Sequence, residues 1–124
     1  MSIRTSALAA ALLTVCATVC AVSASADGRH RRVALVNRSH AIILIVREAN
    51  VGQDDWSDDL LQDDLVMPGE ATMLAFATYP RGCHIDVKTE TDEGVVSVHP
   101  DIDVCSASQF DVTDEMLSAN AVKS

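Results

Sequence analysis

The sequence predicts an all-β domain, a small antiparallel β-sandwich of about seven short strands. Three observations carry this expectation. Runs of β-branched and apolar residues recur through the chain, each of a length suited to a strand. Turn signals separate them about every 8–12 residues. No segment keeps the 3.6-residue apolar period long enough for a substantial helix. With 124 residues and only four aromatic side chains, the chain supports one domain with a modest core. No internal repeat is visible.

The first segment reads as an address rather than as structure. Met1-Ser2-Ile3-Arg4 is a short basic start, and Ala7 to Val22 is apolar. Ala24-Ser25-Ala26 offers small residues at a cleavage site, the layout of a secretory signal peptide. The apolar run falls short of the ~20 residues that span a bilayer. Val15 and Val19 precede Cys16 and Cys20, which does not suit lipidation, and no twin arginine precedes the run. The expectation is a Sec-type signal peptide over residues 1–26, cleaved near Ala26, with a periplasmic or secreted product. Removing 26 of 124 residues leaves 98 and discards Arg4 but no acid, so the formal charge of −9 becomes −10.

Residues 27–113 are assigned to the sandwich. Asp27 to Arg32 is a short polar lead. Arg32 to Arg38 and Ala41 to Glu48 are strands, with Asn37-Arg38-Ser39-His40 as the turn between them. The apolar run Ala41 to Val46 predicts a central strand buried on both faces. Asn50 to Asp64 is a polar loop, in which a short helical turn over Trp56–Leu61 would set Trp56, Leu60 and Leu61 on one face. Pro68-Gly69 is a turn, Glu70 to Thr78 a strand, and Tyr79-Pro80-Arg81-Gly82 its end. Cys83 to Ile102 is a hairpin turning at Asp92-Glu93-Gly94. Its apolar positions share one face if paired residues have an odd sum, as in Glu90 with Val95 or Asp86 with His99. That register puts Cys83, Ile85, Val87, Val96, Val98 and Ile102 inward, and His84, Asp86, Lys88, Glu90, Ser97 and His99 outward. Val104-Cys105 and Gln109 to Thr113 complete the strands. Residues 114–124 form a polar tail with room for one helical turn.

Charge and cysteine content narrow the function classes. Eighteen acidic residues against nine basic ones leave no electrostatic footprint for nucleic acid or an anionic membrane. Once the leader is removed, Cys83 and Cys105 remain, and an even count in an exported chain favours a disulfide. Closing that loop would stabilise the fold by ~3 kcal/mol. A spacing of 22 is far from the Cys-x-x-Cys of a metal or redox site.

The candidate chemistry lies in two places. Asp54, Asp55, Asp58, Asp59, Asp63 and Asp64 put six aspartates within eleven residues, around Trp56. Carboxylates on a loop can supply the oxygens that Ca2+ needs, although no mid-loop glycine or closing glutamate marks an EF-hand. The same loop reads as a solvated rim with Asp55 or Asp58 capping a turn, or as an acidic surface for a basic partner. Trp56 is read as an anchor of the loop or core rather than a ligand stacker. In the odd register His84, Asp86 and His99 share a face. They could bind Zn2+ or Cu2+, or form an ordinary sheet surface with Asp86 opposite His99 as a cross-strand pair. His30 and His40 lie near turns and receive no role. No nucleophile elbow, phosphate loop, zinc-protease helix or paired Cys-x-x-Cys is present, and no catalytic residue is assigned. An exposed strand edge could accept a partner strand.

The order Trp56-Ser57-Asp58-Asp59-Leu60-Leu61, Pro68-Gly69-Glu70, Gly82-Cys83-His84-Ile85-Asp86-Val87, Asp92-Glu93-Gly94 and Asp103-Val104-Cys105 resembles a family of small exported bacterial proteins. That family carries a Trp-Gly-x-(Asp/Asn)-Leu-Leu loop, a Pro-Gly turn and two cysteines flanking a hairpin. The resemblance covers Val33 to Val112. It implies a β-sandwich, export and a disulfide, and it supplies no catalytic residues. Ser57 stands where the family has glycine, and His84 and His99 are outside its pattern. The expected function is an exported, non-catalytic β-sandwich acting as a binding or structural module of the bacterial envelope. It would be a monomer that meets a protein partner, with no cofactor and no membrane span after leader removal. The alternatives are a Ca2+-binding protein using Asp54–Asp64, or a small inhibitor of an envelope enzyme.

Overall fold

A computed structural model describes residues 30–123; the expected leader and its cleavage site lie outside them. Six strands run β1 (His30–Arg38), β2 (Ile43–Asn50), β3 (Ala71–Ala77), β4 (His84–Thr91), β5 (Val96–Asp103) and β6 (Gln109–Thr113), followed by α1 (Asp114–Ala119). They form two three-stranded sheets, β3-β1-β6 and β2-β4-β5, packed as a sandwich. The pairing is antiparallel except for β1 with β6, which is parallel. Val104-Cys105, expected to be a strand, lies in the turn after β5. Asp103 holds that turn by accepting from the Cys105 and Ser106 amides.

The core lies between the sheets. Val33, Leu35, Leu74, Phe76, Phe110 and Val112 face Ile43, Val46, Ile85 and Val87, and Leu61, Val66, Val104 and Leu117 close the ends. Each large side chain buried this way contributes ~1.5–3 kcal/mol. The turn after β1 is held by buried Asn37. Its amide nitrogen donates to the carbonyls of Ala41 and Val66 (2.8 Å each), while its oxygen accepts from the Ser39 amide and hydroxyl. The Cys83–Cys105 disulfide ties the start of β4 to the turn beyond β5.

The structure corrects four further expectations. β2 is an edge strand rather than a central one, and Leu44 and Ile45 are only half-buried where a bulge shifts the register. Trp56–Leu61 is not helical; its backbone donates across to β2 and only residues 60–63 turn.

The third correction is the hairpin register. Thr89 pairs with Ser97 and Val87 with His99, so Ser97 and His99 face the core, and Val96 and Val98 are half-buried on the other side. The turn decides this. Thr91 and Val95 close on Asp92-Glu93-Gly94, a three-residue loop with Gly94 at φ 77°, the left-handed residue such a loop requires. Three loop residues enforce an even sum, overriding the apolar alternation. An extra residue at Pro100-Asp101 then gives an odd sum beyond it, with Ile85 paired to Ile102, two residues off the expected register.

The fourth concerns the end of the chain. α1 is capped by the Thr113 hydroxyl, which accepts from the Met116 amide at 3.1 Å. Leu117 enters the core, and residues 120–122 bond the outer edge of β5, Val98 N to Asn120 O at 3.0 Å and Val122 N to Val96 O at 2.7 Å. The polar tail is therefore a structural part of the second sheet.

Candidate functional site

The acidic loop leaves β2 at Asn50, turns at Val51-Gly52 and runs back along the outer edge of that strand. Ser57 N donates to Glu48 O (2.9 Å) and Leu60 N to Val46 O (2.7 Å). In return, Glu48 N donates to Ser57 Oγ (3.0 Å) and Val46 N to Asp59 Oδ1 (3.0 Å). The loop thus satisfies the backbone groups that an edge strand would otherwise leave open. Ser57 does not have a positive φ, and its hydroxyl makes a bond to the Glu48 amide that a glycine could not.

The six aspartates divide into two sets. Asp59 Oδ1 accepts from Val46 and also from Leu61 N at 3.0 Å. Asp55 accepts from the Asn50 amide and side chain (3.1 and 2.6 Å) and from Arg81 Nη1 at 3.0 Å. Burial raises the Asp55 pKa, but the Asn50 bonds and Arg81 outweigh it and hold the carboxyl below its ordinary value. Asp54, Asp58, Asp63 and Asp64 are exposed, and their carboxylates bond nothing among the described residues. After Asp64 in the chain, Leu65 is 52% exposed and Met67 41%. Trp56 is half-buried at the base of the loop, and Lys88 Nζ stands 4.4 Å from its ring centroid, a cation–π contact. Trp56 thus links the loop to the sheet through Lys88.

Geometry does not gather the loop for metal binding. Among the described residues, the one group of three His, Cys, Asp or Glu ligand atoms within 4.8 Å of each other is Cys83, Asp103 and Cys105, and those sulfurs are bonded to each other. The histidine set is dispersed as well. His84 Nδ1 lies 2.7 Å from Asp101 Oδ1 on the surface. Asp86 accepts from Gly52 N and Asp101 N (2.9 Å each), pinning the β2 turn and the β5 bulge. His99 is in the core. Its Nδ1 faces the Asn120 amide nitrogen at 3.0 Å, its Nε2 faces Thr89 Oγ1 at 3.1 Å, and Phe110 packs edge-on at 5.4 Å. Burial lowers its pKa to about 4.

Two further features escaped the sequence reading. Glu48 points between the sheets, 3% exposed, where its carboxylate accepts from Ala77 N at 3.0 and 3.1 Å. Burial raises its pKa, partly offset by the Ala77 bond and nearby Arg81. Its two-residue spacing from Val46 was the available signal. His40 pairs with Asp114 at the start of α1, and that hydrogen bond and charge raise the imidazole pKa. A cleft of about 260 Å3 lies between α1 and the β4–β5 turn, lined by Thr91, Glu93, Asp114 and Leu117 among others; it is smaller than most ligand pockets, ~300–1,000 Å3, and its lining holds no histidine or cysteine. Among the described residues no helix is long and apolar enough to cross a membrane. Comparison with protein-family models, with curated proteins and with solved structures finds no match.

Proposed function

We propose that this chain is an exported, non-catalytic binding module of the bacterial envelope, and that its acidic loop receives a basic segment of a partner protein. The observation that carries the reading is the division of labour among the aspartates. Asp55 and Asp59 are committed to holding the loop against β2, so the outward set, Asp54, Asp58, Asp63 and Asp64, is presented on a fixed backbone along the edge of that strand, followed in the chain by exposed Leu65 and Met67. A fixed row of carboxylates that leads to exposed apolar side chains suits a complementary basic segment, which it would steer in at low salt. Export is motivated by the leader-like residues 1–26 and fits a domain closed by a disulfide.

The test is crosslinking in intact cells, followed by affinity measurement with the captured partner at two salt concentrations. Replacing Asp54, Asp58, Asp63 and Asp64 by Asn should abolish capture without lowering the unfolding midpoint, and salt should weaken the native interaction. Capture that is indifferent to both, or turnover of an envelope substrate by the pure protein, refutes the reading. Calcium-binding heat that vanishes in Asp58→Ala would instead make the loop a cation site.

A further inference from the structure

Four strand edges bound the two sheets, and the chain treats them differently. The edge of β2 is covered by Ser57 to Leu60, and that of β5 by Asn120 to Val122. β6 is five residues long and carries Asp111, paired with Arg38 at 3.1 Å; short, charged edges resist pairing. β3 has neither protection. Its sequence, Ala71-Thr72-Met73-Leu74-Ala75-Phe76-Ala77, holds no charge and no proline.

Two hydrogen bonds fix which backbone groups of β3 are open. Asn37 N donates to Glu70 O (2.9 Å), so the Asn37–Glu70 pair is a bonded one. Ala77 N turns away from its partner His30 toward Glu48. Bonded and non-bonded pairs alternate in an antiparallel ladder. Thr72, Leu74 and Phe76 therefore bond β1, while Ala71, Met73 and Ala75 aim both N–H and C=O outward. Among the described residues nothing bonds these groups, and all three residues are exposed, Met73 by 51%.

We propose that β3 is a self-association edge: it pairs antiparallel with β3 of a second copy about a two-fold axis at Met73, joining two three-stranded sheets into one of six strands. The open set is symmetric about Met73. Ala71 falls opposite Ala75 of the second copy, Met73 opposite Met73, and Ala75 opposite Ala71, so every outward donor meets an outward acceptor in three bonded pairs. Because Met73 pairs with Ala34 on β1, the outer face gains an apolar row, Ala34–Met73–Met73–Ala34. The symmetry of the open set selects a second copy as the occupant, because an edge whose outward groups repeat about Met73 complements itself. Two chains of net charge −9 repel over most of their surfaces, but this edge sets uncharged against uncharged, and alanine against alanine admits close backbone approach.

Sedimentation equilibrium on the purified protein should show a concentration-dependent doubling of mass. Hydrogen exchange should show slowed Met73 and Ala75 amides under dimeric conditions. Ala75→Pro removes only an outward N–H, two bonds per dimer, and should raise the dissociation constant about tenfold or more. Met73→Lys sets two charges face to face and should do the same while leaving the unfolding midpoint of the monomer in place. The four-aspartate variant of the acidic loop should dimerise normally, which separates this proposal from the partner-binding one. A protein monomeric at every accessible concentration overturns it. So does a dimer in which the Met73 and Ala75 amides exchange freely, or one that both substitutions leave intact.

Discussion

Lowering the pH from 7 to 5 should weaken this fold through one side chain, His99. The imidazole is 1% exposed. The Asn120 amide nitrogen donates to Nδ1, so the proton sits on Nε2 and is given to Thr89 Oγ1. A second proton on Nδ1 would face a donor rather than an acceptor, in a site where charge is poorly solvated. Burial accordingly brings the pKa from 6.5 to about 4. In the unfolded chain the ring titrates near ~6.5. Between these values the unfolded state binds a proton that the native state refuses, so stability is complete above the upper value and drains away toward the lower. At ~1.4 kcal/mol per pH unit, the loss is about 2 kcal/mol at pH 5 and approaches 3 kcal/mol at pH 4. Glu48 works in the opposite direction. Its raised pKa favours the fold at low pH and loses that contribution as pH rises through the native value, so the wild-type curve alone is a composite. The clean measurement is urea unfolding of wild type and His99→Gln across about pH 4–8, followed by Trp56 fluorescence. The stability difference between the two proteins should shift by ~2 kcal/mol between pH 7 and 5. Parallel curves, or an NMR titration of the His99 ring near its ordinary value, would refute the reasoning.

Three other perturbations follow from the same contacts. Asp59→Ala strips the acceptor from Val46 N and Leu61 N and should cost ~1–3 kcal/mol in denaturant unfolding, whereas Asp63→Ala or Asp64→Ala should stay within ~0.5 kcal/mol. Reducing Cys83–Cys105, which closes a loop of sequence separation 22, should cost ~3 kcal/mol and lower the thermal midpoint. Glu48→Gln keeps an acceptor for Ala77 N while removing a buried charge and should be neutral or stabilising at pH 7, whereas Glu48→Ala leaves that amide unpaired and should cost ~1–3 kcal/mol.

Strand existence was legible because short β-branched runs between strong turn residues leave few alternatives, and six of the predicted strands lie within a few residues of their observed ends. The disulfide was legible from cysteine arithmetic once the leader was set aside. Register was not. In the β4–β5 hairpin, apolar alternation called for an odd sum and the three-residue Asp92–Gly94 turn for an even one. The turn prevails because Ser97 and His99 find buried partners, Leu117 O at 2.7 Å for the serine and Asn120 and Thr89 for the histidine. Those partners lie about twenty residues or more away in α1 and the segment after it, or on the facing strand. A single sequence carries no local trace of them. The grouping of His84, Asp86 and His99 fell with that register. Likewise the loop aspartates looked equivalent, since only the path of the chain along β2 decides which carboxylates turn inward.

That path bears on what the acid excess is for. Thirteen of the eighteen acidic residues are aspartates, and their short side chains reach back to nearby backbone as glutamate does less readily. Asp55, Asp59, Asp86, Asp92, Asp103 and Asp114 each accept from at least one backbone amide, at turns and strand ends where a sandwich leaves donors open. For Asp103 and Asp114 the bonds of Ser106 and His40 respectively pull the pKa below its ordinary value, so these acids stay ionised while they hold their turns. Much of the negative charge is therefore a consequence of how the loops are built. Net charge overstates any electrostatic role. The part free to act on a partner reduces to the outward carboxylates, and four of these are set in a row on the acidic loop along the edge of β2. If charge alone governed association, neutralising any four surface acids would act alike. If the loop is a docking site, only Asp54, Asp58, Asp63 and Asp64 should matter, and the same number of changes at Glu70, Glu90, Glu93 and Glu115 should leave capture of the partner unchanged.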